Sequence, residues 1–510
     1  MTATPPRPLM RRALPGLAVL AVLGLALAIT AREPGWTWRP LHPVVVLLLV
    51  AVVSALPLHR GVLAVAVVGG TARALTLEPR VLMHFAKPYG FLLDGRGDVS
   101  PNLAYGDGWN ATHGLVTRLV GWTPDLPHAV SWGLSCLLPP FLFDLVLRTT
   151  GRPLAAWTAG LASALLPLAV ALAPTPNHFV LVATLQVLAV AGAVRRDAEG
   201  DLLAVAAAGL LAHTRPLQLA VVLVPLALLV QGRRWPATAG LVALAGWRVA
   251  ELATHLHATP TSRPLGEPLR IVDGMFAMGP DAPWLVLDPT RVPLGLTVLA
   301  VVGTVALLRR GPGAAWALPA LFLGGSLLYL EHRYASDRLR FQLPTLAWLA
   351  ALAGVGLDAL ARRSRTLGAA AALLLLVSAW PARAPMDPPF TWQAEHLLLR
   401  RAADEVPEGS TVRMAIAHDP DGTIRRWASL RSPGTWVADD GTPHPGELRW
   451  VGTADLHPHA RPVPWDHLEP LWEQTVPGVW GGLPDLFLDA PYGAEPVRIG
   501  LYRVVDPATP

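Results

Sequence analysis

The sequence predicts a mainly α-helical membrane protein: a polytopic bundle of about 13 transmembrane helices with a small C-terminal α/β domain. Three observations predict this class. The 510 residues are 52% hydrophobic and only 15% charged, with a mean hydropathy of +0.42, which is far too apolar for an ordinary soluble protein. Long apolar runs recur through the first three quarters of the chain, separated by short arginine-containing segments. Beyond about residue 382 these runs end, and polar, alternating stretches begin.

The first apolar run, 13–30, follows three arginines near the N-terminus. Because no small-residue cleavage site follows it and further runs come directly after, we expect an uncleaved start with the N-terminus in the cytoplasm. Several runs are shorter than the roughly 20 residues that a straight span needs, so the number of spans is approximate. Twelve further runs complete the candidate spans: 43–58, 61–77, 129–147, 153–173, 178–194, 202–213, 217–230, 236–256, 291–308, 314–330, 341–361 and 366–381.

Arginine clusters between these runs predict the sidedness, because cytoplasmic loops collect Lys and Arg. Alternation from a cytoplasmic start places five clusters on the cytoplasmic side: Arg148/Arg152, Arg195/Arg196, Arg233/Arg234, Arg309/Arg310 and Arg362/Arg363/Arg365. The outer face then receives the segments 78–128, 174–178, 257–290 and 331–340, together with the tail. We therefore expect a multi-pass protein of the cell (inner) membrane, with a membrane domain over 1–381 and an extracytoplasmic domain over 382–510.

The tail has the composition of a folded domain of about 125 residues, within the usual domain size. Period-two alternation in STVRMAIAHDP and EPVRIGLYRVV predicts strands, and AEHLLLRRAADEVP predicts a helix that ends before a proline. No metal-ligand spacing marks it, and we expect His457 and His459 to be solvated. The single cysteine, Cys136, excludes a disulfide within one chain. The arginine pairs orient membrane segments, so no nucleic-acid partner is expected.

The first outer segment, 78–128, combines carboxylates with flat aromatic faces, as a sugar site does; an ordinary solvated loop is the alternative. Its candidate carboxylates are Asp98, Glu78 and Asp107. Gly95 and Gly97 let the backbone turn the carboxylate of Asp98 into a cavity. The expected sugar contacts are the aromatic residues Tyr105 and Trp109.

Three arginines of the last outer loop, Arg333, Arg338 and Arg340, are expected to bind an anionic lipid headgroup. Guanidinium groups bind phosphate oxygens bidentately and keep their charge, and this face usually lacks arginine; anchoring of helix ends is the alternative. Arg215 lies where two short apolar runs meet on the outer side, so we expect it to point into the same site. Within the run 236–256, Arg248 and Glu251 are spaced to pair with each other.

The order of several motifs resembles that of the polytopic GT-C glycosyltransferases that use polyprenyl-phosphate sugars, the protein mannosyltransferase and aminoarabinose transferase relatives. The motifs are LLDGRG, AYGDGW, THGLVTRLVG, GLLAHTRPLQL, HRYASDRLRFQLPTLAWLA and IGLYRV, and they cover most of the chain. The resemblance implies that an acid of the first outer loop is the general base and that later basic residues hold the lipid phosphate. A general base must lie within hydrogen-bond reach of the acceptor hydroxyl, and we rank Asp98 first, Glu78 second and Asp107 third. The chain departs from the family where an acidic pair usually precedes the first motif, since 80–89 contains no acid and Glu78 is the nearest one upstream.

The sequence therefore predicts an inverting transferase that moves a sugar from a polyprenyl-phosphate carrier to a glycan, lipid or protein acceptor, among membrane lipids on the outer face. No cofactor is evident, and the reaction leaves room for a divalent metal. The alternative is a non-enzymatic membrane protein, either a transporter or a scaffold, including an inactive relative of the transferases. A transporter should contain internal repeats with paired broken helices, and the sequence contains none.

Overall fold

The computed structural model describes residues 41–56, 59–75, 90, 93, 107–176, 178–215, 218–258, 285–287, 289, 292–310, 313–328, 343–379, 391–415, 419, 422–452, 455, 464–476 and 497–506. Within these ranges the chain is mostly helical and contains one small sheet. The hydrophobic residues form two separate cores, one among the helices before residue 380 and one in the tail.

The helical region contains fourteen described α-helices. Each of the twelve apolar runs predicted beyond residue 40 coincides with a helix, or, for 153–173, with a pair of helices. The helices are α1 (His42–Ala55), α2 (Arg60–Ala74), α3 (Gly108–Val120), α4 (Leu126–Thr150), α5 (Pro153–Leu165), α6 (Pro167–Leu172), α7 (His178–Val194), α8 (Ala198–Ala212), α9 (Gln218–Gln231), α10 (Trp235–Ala258), α11 (Leu294–Leu308), α12 (Ala317–Leu328), α13 (Leu343–Arg363) and α14 (Arg365–Ser378).

Two of these helices, α4 and α13, are long and apolar enough to cross a membrane, and seven shorter apolar helices have 10–17 residues. A helix of 15 residues is about 22 Å long, less than the roughly 30 Å of a bilayer's hydrocarbon core. The described part of the chain thus agrees with a helical protein that carries a small sheet. It does not confirm a bundle of 13 spans.

Helix α13 lies at the centre of the bundle and packs against α5, α7, α11 and α14. Every side chain from Leu343 to Asp358 is buried. Against α11 the approach is close: a Cβ added at Gly303 or at Gly356 would overlap the backbone of the opposite helix. Two glycines facing each other therefore set the distance between the two helix axes.

The break between α5 and α6 is caused by Pro167, which has no N–H to donate to the carbonyl of Ser163. Arg73, at the end of α2, replaces that donor. Its guanidinium donates to the carbonyl oxygens of Ser163 (3.4 Å) and Ala164 (3.2 Å) and to the Ser135 hydroxyl on α4 (3.0 Å). Arg73 is only 1% exposed. This arginine, which lies within the predicted apolar run 61–77, therefore ties α2, α4 and α5 together.

Arginines of three predicted clusters meet at one end of the bundle. Asp144 of α4 is paired with Arg148 at 2.8 Å and lies 3.9 Å from Arg195, which follows α7. Arg234, just before α10, pairs with Asp201 of α8 and donates to the carbonyl of Ala193 at 2.8 Å. The membrane side on which this end lies stays a prediction. Asp144 pairs with Arg148, and Asp358 with Arg362, each four residues apart on one helix and each at 2.8 Å.

The tail combines two helices, α15 (Thr391–Glu405) and α16 (Thr423–Arg431), with one sheet. In the sheet order β2-β1-β3-β5-β4, β1 is parallel to β2 and β3, whereas β5 is antiparallel to β3 and β4. The predicted helix is α15, and the two alternating stretches contain β1 and β5. The strands are β1 (Thr411–Met414), β2 (Thr435–Ala438), β3 (Leu448–Val451), β4 (Leu468–Val476) and β5 (Val497–Val504).

Residues of the first predicted outer segment contact this tail. Leu93 is 2% exposed and belongs to the tail's hydrophobic core, and Trp122 packs against the same core. Asp125 pairs with Arg400 and Arg431 of the tail. The tail is thus joined to the segment between α2 and α4 by apolar and ionic contacts.

Candidate functional site

The candidate site lies where the start of α3 meets the end of α8. The Gly108 N–H donates to the carbonyl oxygen of His213 at 2.8 Å. A Cβ added at Gly108 would come within 2.5 Å of the Thr214 hydroxyl and 3.0 Å of the Leu210 carbonyl. Only glycine allows this approach. Asp107 precedes Gly108 and Arg215 follows Thr214, so the contact joins the segments that carry a predicted base and a predicted phosphate ligand.

Asp107 is the N-cap residue of α3 and makes no side-chain capping hydrogen bond to that helix. It is half-buried. The start of an α-helix carries a partial positive charge, which favours a negative group beside it. The carboxylate is therefore held next to the N-terminus of α3 by the backbone, and not by a capping interaction.

Arg215 lies in the turn between α8 and α9 and is half-buried. Its guanidinium carbon lies 4.5 Å from the ring centroid of Phe179, the second residue of α7. An aromatic face supports a guanidinium by cation–π attraction. Donors at the edge of a stacked guanidinium remain in the plane in which it binds phosphate oxygens.

Trp109, predicted to contact a sugar, is 3% exposed. Its ring stacks on that of His113, with the centroids 3.6 Å apart, and the His113 Nδ1–H donates to the Trp109 carbonyl at 3.1 Å. Trp109 thus packs the start of α3 into the bundle core beside Gly108. Its role as a sugar platform stays a prediction.

Of the residues predicted from sequence, Asp107, Trp109 and Arg215 lie within the described ranges. Asp107 and Trp109 flank Gly108, and Arg215 follows two residues after His213, whose carbonyl Gly108 binds. The other candidates lie outside the described residues: Asp98, Glu78, Tyr105, Arg333, Arg338 and Arg340. His457 and His459 lie outside them as well. Within the described ranges, no group of three or more His, Cys, Asp and Glu side chains could hold a metal ion.

A charged cluster adjoins the site on the side of α10. The predicted pair is present, with Arg248 Nη1 at 3.1 Å from Glu251 Oε2. The same carboxylate oxygen lies 3.3 Å from His213 Nδ1, while His213 Nε2–H donates to the Leu244 carbonyl at 3.2 Å. His213 lies in the motif GLLAHTRPLQL, but the sequence does not predict Glu251 as its partner. The cluster holds the end of α8, and with it the turn that carries Arg215, against α10.

A chain of polar side chains beneath the site was also missed. The Trp348 indole N–H donates to Gln186 Oε1 at 2.8 Å, and Gln186 Nε2–H donates to Gln218 Oε1 at 2.7 Å. All three residues are at most 1% exposed. The signal in the sequence is a glutamine inside the apolar stretch FVLVATLQVLAV, because a buried amide requires hydrogen-bond partners.

Comparison with known proteins gives similarity in structure only. No family model and no curated protein matches the chain. The apo oligosaccharyltransferase of Archaeoglobus fulgidus aligns with a TM-score of 0.46 at 11% identity, over 75% of this chain and 66% of that one. AglB of the same organism, in complex with an inhibitory peptide and a dolichol-phosphate, gives 0.45 at 12% identity, over 74% and 64%. ArnT from Cupriavidus metallidurans, bound to undecaprenyl phosphate, gives 0.44 at 16% identity, over 74% and 85%.

The chain thus spans about two thirds of the archaeal transferases that it matches. The likeness of this chain to all three structures is one of fold alone. Their TM-scores lie below 0.5 and their identities at or below 16%, so the chemistry of the present chain is argued from its own residues.

Proposed function

We propose that the protein is a membrane glycosyltransferase that moves a sugar from a polyprenyl-phosphate carrier to a hydroxyl acceptor outside the membrane. The observation that carries the proposal is the 2.8 Å hydrogen bond from Gly108 to His213. It brings the segment of Asp107 against the segment of Arg215. A transferase of this class needs such a combination, a cation for the carrier's phosphate and a carboxylate for the acceptor.

In the proposed reaction, the acceptor oxygen attacks the anomeric carbon while the bond from that carbon to the phosphate oxygen breaks. The acceptor's proton passes to a carboxylate, and polyprenyl phosphate leaves with one more negative charge than it had in the donor. A guanidinium at the phosphate stabilises that developing charge. Arg215 has this role, supported from below by Phe179, and Arg333, Arg338 and Arg340 are further phosphate ligands.

Asp107 is the candidate base that lies within the described residues, with Asp98 and Glu78 as the other two candidates of the same loop. The N-terminus of α3 favours the negative carboxylate at position 107. A base must also reach the acceptor hydroxyl, and Asp107 is joined through one residue to the contact with the Arg215 turn. The sugar would lie between the acid and the phosphate.

The carrier's isoprenoid chain requires an apolar environment, and the helices offer exposed apolar side chains for contact with lipid. On α14, Leu373, Leu376 and Val377 are 61%, 72% and 63% exposed, and on α9 Leu223 is 61% exposed. Large apolar side chains exposed together mark a membrane or protein contact. They support contact of these helices with lipid, as the proposed membrane protein requires.

The test uses the full-length protein in lipid nanodiscs, with undecaprenyl phosphate as the binding probe and undecaprenol as the uncharged reference. We expect preferential binding of the phosphate, and a loss of about tenfold or more in affinity for Arg215→Gln, since hydrogen bonds to charged groups contribute about 1.5–3 kcal/mol. Arg152→Gln is the matched control. Arg152 is an exposed arginine, and its cluster is predicted to lie on the cytoplasmic side, away from the proposed site. Equal binding of the phosphate and the alcohol would overturn the proposal.

Asp107→Asn separates chemistry from binding. We expect unchanged affinity for undecaprenyl phosphate, and transfer from an undecaprenyl-phosphate sugar that is slower by a hundredfold or more, the usual order for loss of a general base. Asp98→Asn and Glu78→Gln are measured beside it. Parental turnover in all three variants would remove the first-loop base from the mechanism.

A further inference from the structure

We infer that Trp348, Gln186 and Gln218 form a positioning relay, defined as the two consecutive hydrogen bonds that join them, which holds Arg215 in place to bind the carrier's phosphate. The inference rests on the proposed function, because it assigns a task to residues behind the proposed phosphate ligand. None of the three touches the reacting atoms in this proposal. They act through the turn that carries Arg215.

The direction of the relay is set by its first member. An indole N–H can only donate, so the Gln186 oxygen must face Trp348 at 2.8 Å. The Gln186 amide nitrogen must then face the Gln218 oxygen, at 2.7 Å. This arrangement of the two amide groups satisfies both hydrogen bonds, and the opposite orientation of Gln186 would satisfy neither. The relay therefore holds Gln218 in one orientation relative to α7 and α13.

Helix α7 contacts the Arg215 turn at two points on one face. Phe179 and Gln186 are seven residues apart, which is close to two helical turns, so they lie on the same side of α7. Phe179 supports the Arg215 guanidinium at 4.5 Å, while Gln186 bonds Gln218. The Gln218 N–H donates to the Arg215 carbonyl at 3.0 Å and closes the turn. The side chain of Arg215 and the backbone behind it are thus both held by α7.

Burial argues for a positioning task in addition to packing. Trp348 and Gln218 are each 0% exposed, and Gln186 is 1% exposed. Apolar side chains of similar volume would fill this space without the need to match donors and acceptors. A fully satisfied buried polar chain instead specifies one arrangement of the groups around it. At one end of this chain, Gln218 binds the backbone of the proposed phosphate ligand, Arg215.

The test measures the affinity for undecaprenyl phosphate of full-length variants in nanodiscs. Trp348→Phe removes the indole N–H and keeps an aromatic ring, although the side chain is smaller, and Gln186→Met removes the amide at similar length. We expect each to weaken binding by about fivefold, the equivalent of one hydrogen bond of about 1 kcal/mol. Thr184→Val is the control, because Thr184 is buried on the same helix but bonds the carbonyls of Val180 and Leu134. It should bind as the parent does.

The decisive measurement is a double-mutant cycle with Arg215→Gln. If the relay acts through Arg215, Gln186→Met and Trp348→Phe should cause no further loss in the Arg215→Gln background. Losses of equal size in both backgrounds would mean general packing and would overturn the inference. Parental affinity in the relay variants, together with a clear loss in Arg215→Gln, would also overturn it and leave the proposed function intact. If the parent protein binds undecaprenyl phosphate and undecaprenol equally, both the inference and the proposed function are contradicted.

Discussion

Asp125, the residue before α4, is ion-paired with Arg431, the last residue of α16, with Oδ2 and Nη1 3.1 Å apart. The same carboxylate accepts a hydrogen bond from Arg400 of α15. Arg431 also donates to Asp404 within the tail, at 2.7 Å. One acid of the helical region thus binds two guanidiniums of the tail. Partial burial favours a higher pKa for Asp125, but Arg400 and Arg431 outweigh that effect and lower its pKa below the ordinary 3.8.

Asp125→Asn should loosen the tail without unfolding it, because two guanidiniums lose their shared counter-charge while the hydrophobic contacts of Leu93 and Trp122 remain. We expect faster amide hydrogen exchange in α15, α16 and the start of α4. Asp404→Asn is the matched control, since it removes a partner of Arg431 without touching the helical region. Similar exchange in both variants would show that the pair with Asp125 does not hold the tail.

The contact between the tail and the start of α4 should also weaken as the pH falls below about 6.5, because of His396. This residue is 0% exposed and lies 5.8 Å from His128 of α4 and 5.3 Å from Trp427 of α16, between ring centroids. Burial, followed by the nearby His128, Arg400 and Arg431, lowers the pKa of His396 well below its ordinary 6.5. The unfolded chain then takes up a proton near pH 6.5 while the folded site does not, so stability decreases as the pH falls through this window.

We expect His396→Gln to flatten the decrease in thermal stability between pH 7.5 and 5.5, measured on the full chain by tryptophan fluorescence. His444→Gln is the control, because His444 lies on the same domain, pairs with Asp440 and is partly exposed. If the slope with pH is the same in the parent and in His396→Gln, this histidine does not set the pH dependence.

Asp455→Asn should stabilise the tail at neutral pH. Arg449, only 1% exposed, is shared by Asp439 (2.6 Å) and Asp455 (2.7 Å), so two buried carboxylates face one cation. Burial raises the pKa of Asp455 from 3.8 to about 6, although Arg449 and the Gly452 N–H oppose the rise. Because the folded site binds its proton more tightly than the unfolded chain does, this contribution to stability is lost as the pH rises from about 4 to above 6.

An asparagine at position 455 keeps the shape and removes the charge. We expect a gain on the order of 1–3 kcal/mol at pH 7.5 and little change at pH 4.5, measured by thermal unfolding. Asp466→Asn, at an exposed position, should have no effect at either pH. A loss of stability at both pH values would mean that the charge of Asp455 is needed by Arg449.

Gly356→Ala should separate α11 from α13, since its new Cβ would overlap the backbone of Leu299. Overpacking of a close helix contact typically costs about 1–3 kcal/mol. Gly246→Ala is the matched control, because Gly246 is exposed on α10 and an added Cβ meets nothing within 4 Å. The measurement is the thermal unfolding of the full chain. Equal stability of the two variants would contradict the packing of α11 on α13.

Elements whose signal lies in adjacent residues could be predicted from the sequence. The apolar runs gave thirteen of the fourteen described helices of the helical region nearly to their ends, and alternating residues gave β1 and β5. Helix α3 was missed, because it lies in the polar segment predicted as an outer loop. Pro167 also explains in retrospect why the run 153–173 is two helices, since its missing N–H is a local property. The number of membrane spans could not be predicted in this way, because most of the described helices are too short for length alone to decide.

Contacts between distant residues had no comparable signal. Asp107 and Arg215 were each singled out by residue type and predicted side. The contact between their two segments depends on Gly108, whose lack of a side chain matters only because Thr214 lies against it. The pair of Asp125 and Arg431 joins residues 306 positions apart, and nothing near either residue indicates the other. Gln186 carried a detectable signal, a buried amide in an apolar run, which does not identify Trp348 as its partner.

Arg73 bears on the order in which the chain is assembled during synthesis. Three of its acceptors lie on later helices, the most distant of them 91 positions further along the chain. In the proposed membrane setting, an α2 released into lipid alone would expose an arginine, which costs about 2.5–3.5 kcal/mol at the centre of a span and less near a helix end, where Arg73 lies. Helix α2 would therefore remain at the insertion machinery until α4 and α5 emerge, and α2, α4 and α5 would enter the bilayer together. A nascent chain arrested between α4 and α5 should accordingly leave α2 extractable by alkali, whereas one arrested after α6 should not.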